Sequence, residues 1–69
     1  MNRTAVDSSN IASIGYDSES QTLEIEFLNG SVYQYFDVPE HVFEGIMNAD
    51  SHGIYLNSTI KGSYRYSRV

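Results

Sequence analysis

The run Leu23-Glu24-Ile25-Glu26-Phe27 constrains the fold more than any other segment, because apolar and acidic residues alternate in it without a break. A strict period of two is the signature of a β-strand with one buried and one wet face. Asn29-Gly30 follows at once, and this pair tolerates the positive φ angles of a two-residue type I′ hairpin. Such a turn fixes a register: Phe27 opposes Val32, Glu26 opposes Tyr33, Ile25 opposes Gln34, Glu24 opposes Tyr35 and Leu23 opposes Phe36. On the N-terminal side, Ser18 to Gln21 reads as a four-residue loop. It sets Tyr16 opposite Leu23, Ile14 opposite Ile25 and Ala12 opposite Phe27. The core face is then Ala12, Ile14, Tyr16, Leu23, Ile25, Phe27, Val32, Phe36 and Val38, with Gln34 as a polar misfit. The outer face holds Ile11, Ser13, Gly15, Glu24, Glu26, Tyr33 and Tyr35.

Helix follows at Pro39, whose missing N–H has no intrahelical partner in a first turn. Asp37 with Glu40 three residues later resembles a capping box. Val42, Phe43, Ile46 and Met47 fall on one stripe and leave Glu40, His41, Glu44 and Asn48 to solvent, so the stripe should cover the sheet. Ser51 is placed to cap a second short helix with Tyr55, Leu56, Thr59 and Ile60 on one side, although Gly53 weakens it. The closing Tyr64-Arg65-Tyr66-Ser67-Arg68-Val69 alternates aromatic and basic residues and reads as a last strand without a named partner. The fold class expected is α+β: a three-stranded antiparallel β-meander followed by one or two helices and a short C-terminal strand. A single domain spans 1–69, with 8–69 ordered and 1–6 flexible; 69 residues are too few for two cores.

Chemistry is bounded mostly by exclusion. There is no cysteine, which removes disulfides, thiolate zinc sites and cysteine nucleophiles. No apolar leader or membrane-length run is present, so a cytoplasmic location with no membrane partner is expected. The formal charge of −5 gives the long-range field the wrong sign for unspecific attraction to phosphate. Any nucleic-acid contact must therefore be local. His41 and His52 lack ligand spacing, and Ser8, Ser9 and Ser51 read as caps and turns outside any GxSxG elbow. The five glycines form no phosphate-binding run, and Asp17, Glu19, Glu24 and Glu26 lack the spacing of a calcium loop. No enzyme, cofactor or metal is expected.

The aromatic residues rise above this background, with six Tyr and three Phe in so short a chain. Tyr33 and Tyr35 are expected on the outer face, and Tyr64-Arg65-Tyr66 adds two more rings beside a cation. Rings standing on a sheet stack the bases of single-stranded RNA at about 1–3 kcal/mol per base. Candidate binding residues are accordingly Tyr33, Tyr35 and Tyr64 as rings, with Lys61, Arg65 and Arg68 for phosphates. In this register Glu24 and Glu26 flank the rings and oppose a phosphate backbone. Two other roles compete for the same residues: packing of Tyr35 over the gap left by Gly15, and a protein–protein or self-association surface, in which tyrosine is enriched.

Val6-Asp7-Ser8-Ser9-Asn10-Ile11, Ile14-Gly15-Tyr16-Asp17, Leu23-Glu24-Ile25-Glu26-Phe27, Gly30, Tyr33-Gln34-Tyr35, Val38-Pro39, Ala49, Ser51-His52-Gly53 and Ile60 together resemble the KTSC domain family. Their order and spacing run over nearly the whole chain, and the central YxY of the family corresponds to Tyr33 and Tyr35. The family occurs at the C-terminus of some lysyl-tRNA synthetases and as stand-alone bacterial proteins. The resemblance implies a small domain without established catalytic residues, with RNA as the suggested partner.

Overall fold

Alternation in the middle of the chain carries directly into the structure. In the computed structural model, which describes residues 1–69, a five-stranded antiparallel sheet runs β1 (Arg3–Ala5), β2 (Ile11–Asp17), β3 (Thr22–Phe27), β4 (Val32–Tyr35) and β5 (Tyr66–Arg68), each strand beside its successor. Between β4 and β5 lie α1 (Glu40–Asn48) and α2 (His52–Tyr55), the latter running on into a π-helical turn over Leu56–Ile60. This is the expected α+β arrangement, with the sheet widened from three strands to five.

β1 falls in the stretch expected to be flexible, yet Arg3, Thr4 and Ala5 pair with Gly15, Ile14 and Ser13. Gly15 makes the close approach possible: a Cβ there would stand 2.8 Å from both Arg3 Cγ and the Asn2 carbonyl oxygen. Arg3 crosses that gap to reach Glu24 Oε2 at 2.8 Å.

The β2–β3 hairpin has the expected register, with Tyr16 opposite Leu23 and Ile14 opposite Ile25. Beyond Ser13 a bulge intervenes, so Ile11 rather than Ala12 opposes Phe27. Ile11, expected outside, is fully buried, and Ala12 is left half-buried. The larger side chain takes the core position because it removes more apolar area from water.

The β3–β4 connection differs from expectation by one residue. Gly30 N–H donates to the Phe27 carbonyl and Phe27 N–H to the Ser31 carbonyl, both at 2.9 Å, so the loop is Leu28-Asn29-Gly30. Of these only Gly30 has a positive φ, +92°, as in a type I turn closed by a left-handed glycine. The extra residue turns β4 over: Leu23 faces Tyr35, Glu24 faces Gln34, Ile25 faces Tyr33 and Glu26 faces Val32. Polar pairing explains the choice. A two-residue turn would bury the Gln34 amide on the apolar face, whereas the observed register lets its Nε2 donate to Glu24 Oε1 at 2.8 Å. Tyr33 and Tyr35 consequently join the core face, while Val32 and Phe36 take the opposite parity and stay half-buried.

The expected capping box is absent as well. α1 has Pro39 at its N-cap with no side-chain hydrogen bond, and Asp37 lies at φ +57°. A box from Asp37 needs Val38 helical, and a residue before proline is driven out of the α region. The apolar stripe of α1 is as expected, with Val42 and Ile46 buried. Ser51 caps α2 by accepting the Ile54 N–H at 3.2 Å. The core joins Ile11, Ile14, Leu23, Ile25 and Tyr35 of the sheet to Val38, Val42, Ile46, Leu56 and Ile60. Each such side chain contributes about 1.5–3 kcal/mol on burial.

Candidate functional site

Because β4 is turned over, the aromatic residues meet on the core side of the sheet. Tyr35 pairs with Tyr66 of β5 and Tyr33 with Arg68, which puts all four side chains on one face. The helices cover that face unevenly: Tyr35 is 3% exposed and Tyr66 is 63% exposed. The uncovered margin forms an open cleft of about 590 Å³. Its apolar lining is Phe27, Tyr33, Tyr35 and Tyr66, and its polar lining is Asn29, Ser31, Lys61 and Gly62. The rings form a continuous series, with centroid distances of 5.8 Å for Phe27–Tyr33, 5.9 Å for Tyr33–Tyr66 and 5.8 Å for Tyr35–Tyr66. Each contact fixes its neighbours at about 0.5–1.5 kcal/mol.

Lys61 reaches the cleft through an unusual backbone. Its N–H donates to the Leu56 carbonyl five residues back, at 2.8 Å, and closes the π turn. Gly62 follows at φ +84° and bends the chain toward β5. Single π turns are uncommon and concentrate at functional positions. None of the hydroxyls of Tyr33, Tyr35 and Tyr66 donates to another protein atom, whereas that of Tyr16 donates to the Val38 carbonyl. No fully buried polar side-chain atom lacks a partner, so the Tyr35 hydroxyl opens into the cleft. Burial, reinforced by Tyr33 and Tyr66, holds the Tyr35 phenol above its ordinary 10.0 and keeps it a neutral donor.

Charge is partitioned between the two faces. Glu24 and Glu26 lie on the outer face, where Glu24 binds Arg3 and Gln34, and Glu26 accepts from Ser13 Oγ at 2.8 Å. Arg65 is held outside by Asp37 at 2.7 Å and lies 5.8 Å from the Phe36 ring centre. Of the four basic residues, only Lys61 and Arg68 form no ion pair. Lys61 lines the cleft, and Arg68 shares the face of Tyr33.

The six sequence candidates thus divide. Tyr33, Tyr35 and Lys61 come together in the cleft with Arg68 beside them, on the face opposite to that expected for the tyrosines. Tyr64 packs against the core and, with Arg65, borders a separate shallow depression beside Phe36. Phe27, Asn29, Ser31, Gly62 and Tyr66 are the lining residues that the candidate set lacks. The parity of Tyr66 with Arg68 was available as a signal; the turn contact of Asn29 was not. His41 is exposed, and His52 Nδ1 lies 2.7 Å from the Ile46 carbonyl, which makes that nitrogen a donor. No group of three or more histidine and acidic side chains converges. No helix is long and apolar enough to cross a membrane.

These features define a small α+β domain in which a meander sheet, extended at both edges, is capped on one face by two short helices and leaves an aromatic cleft at the margin. The chain belongs to the KTSC domain family, whose model matches residues 7–64. A crystal structure of a KTSC domain protein from Yersinia pestis is similar at a TM-score of 0.93 and 40% identity, over 99% of this chain and 96% of that one. An uncharacterized protein of Stutzerimonas stutzeri is 44% identical over 70 residues, 100% of this chain and 99% of its own length. A lysine-tRNA ligase of Nostoc punctiforme is 44% identical over 59 residues, 86% of this chain and 10% of the ligase.

Proposed function

We propose that this chain is a non-catalytic module that binds single-stranded RNA in the aromatic cleft. The observation that carries this reading is the coincidence of charge and rings: of the two cations free of acidic partners, Lys61 lines the aromatic cleft and Arg68 shares the face of its Tyr33. Tyr66 offers a face for stacking, and Lys61 and Arg68 meet phosphates on either side. The likeness to a segment of lysine-tRNA ligases points the same way, since those proteins act on an RNA. A titration of the chain with short oligonucleotides against salt tests it. With two phosphate contacts the log–log slope is about −1.4, and Lys61→Gln or Arg68→Gln brings it to about −0.7. Binding that ignores salt, or that survives both substitutions unchanged, refutes the proposal.

A second reading is favoured by β5, whose three residues are all exposed along the sheet edge. An open edge invites a partner strand, and a protein-interaction or self-association module would use it. A monomeric profile across a wide concentration range counts against that alternative.

A further inference from the structure

We infer, resting on the RNA-binding reading above, that the cleft selects bases by their exocyclic group, taking the keto oxygen of uracil and rejecting the amino group of cytosine, through the side-chain amide of Asn29. The geometry of the turn carries this. Asn29 Oδ1 accepts two hydrogen bonds from Ser31, from its N–H at 3.0 Å and from its hydroxyl at 2.7 Å. These bonds occupy the acceptor end of the amide and fix which end is which, so the Nδ2 hydrogens face away from Ser31 without a protein partner. Asn29 lines the cleft beside Ser31 and across from Lys61.

A donor held in place can only be satisfied by an acceptor. Lys61 is likewise a donor without acceptor capacity, and the phenols can turn to serve either role. The fixed hydrogen-bonding demand on the rim is therefore for acceptor atoms. A base stacked on the Tyr33–Tyr66 surface brings its exocyclic edge to that rim. Uracil presents an oxygen there. Cytosine, with the same ring size, presents N–H groups and leaves donor against donor, the mismatch that a site built for hydrogen bonding discriminates most strongly. Stacking alone does not separate two pyrimidines of equal size, so a preference between them isolates the amide.

The test is the affinity of the full chain for oligo(U) and oligo(C) of equal length, read from tyrosine fluorescence or amide chemical shifts. Oligo(U) should bind about fivefold more tightly, the worth of one hydrogen bond near 1 kcal/mol. Asn29→Asp keeps the acceptor for Ser31 and removes the donor, so the ratio should fall to about one. Both strands carry the same phosphates, and the added carboxylate cancels from the ratio. Equal affinities in the unmodified chain, tighter binding of oligo(C), or a ratio that persists in Asn29→Asp would each overturn base selection while leaving RNA binding intact. Failure of both strands to bind overturns the RNA-binding reading itself, and base selection with it.

Discussion

Replacing Gly30 by alanine isolates the backbone geometry on which the whole site depends. Gly30 sits at φ +92°, and a Cβ placed there meets nothing within 4 Å, so the substitution acts through conformation and not through a clash. An L-residue in the left-handed region costs about 1–2 kcal/mol, and the lost freedom of the unfolded chain offsets about 0.4–1 kcal/mol of that. A net loss of about 1 kcal/mol remains, which lowers Tm by about 4–8 °C in a domain of this size. Gly62, at φ +84° with equally open surroundings, supplies an internal comparison in a different loop and should respond alike. Asparagine tolerates the left-handed region, so Gly30→Asn should lose about half as much. Thermal and urea unfolding read the energies, and cross-strand proton contacts between Ile25 and Tyr33 read the register. A Gly30→Ala variant as stable as the parent, or Ile25 found opposite Gln34, would refute the three-residue turn.

Two further outcomes follow from the packing and from the buried phenols. Alanine within a helix normally stabilises relative to glycine by about 1 kcal/mol, but a Cβ on Gly45 would stand 2.7 Å from Tyr55 Cζ and closer still to its hydroxyl. Overpacking of about 1–3 kcal/mol should win, so Gly45→Ala lowers stability by about 1 kcal/mol and raises it in a Tyr55→Leu background; a stabilised single variant would contradict the α1–α2 contact. Tyr35 is held above 10.0 by burial and then by Tyr33 and Tyr66, and Tyr16 by burial and then by Glu40 and Asp17. The folded state retains these protons longer than the unfolded one, so their stabilising effect is complete below the ordinary value and is lost as pH rises through the folded values. A tyrosinate titration should show late-ionising phenols that vanish in Tyr16→Phe and Tyr35→Phe, and six tyrosines ionising together would contradict the burial.

What was legible in the sequence is what local pattern dictates. The alternation of β3, the four-residue turn before it, the α1 stripe and the Ser51 cap needed only period and turn chemistry. Three things depended on competition between distant groups. The Asn29-Gly30 pair suits either a two-residue or a three-residue hairpin, and the decision came from where Gln34 could find a hydrogen bond. The polar misfit that the shorter turn leaves inside was the sign of the longer one. Pro39 suits either the first helical residue or the cap, and the constraint it puts on Val38 decided against a box from Asp37. The placement of β1 rested on the missing side chain of Gly15, which acquires meaning only once Arg3 lies across it. The same one-residue shift explains why the aromatic residues were recognised but set on the wrong face.

That shift also changes the electrostatic balance of the cleft. With a two-residue turn, Glu24 and Glu26 would flank the tyrosines; in the observed register they lie behind the sheet, engaged by Arg3, Gln34 and Ser13. The molecule measures 28 × 23 × 22 Å, whereas charges are screened over about 8 Å at physiological ionic strength. Distant acidic groups are therefore screened, Glu24 and Glu26 are engaged on the opposite face of the sheet, and Lys61 and Arg68 are the charges on the side of the rings. At about 0.01 M salt the screening length grows to about 30 Å, which spans the molecule, and the net charge of −5 then acts on any approaching phosphate. An acidic chain can thus present a locally basic aromatic surface at physiological ionic strength, and the slope of about −1.4 applies from there upward, where the net charge is screened.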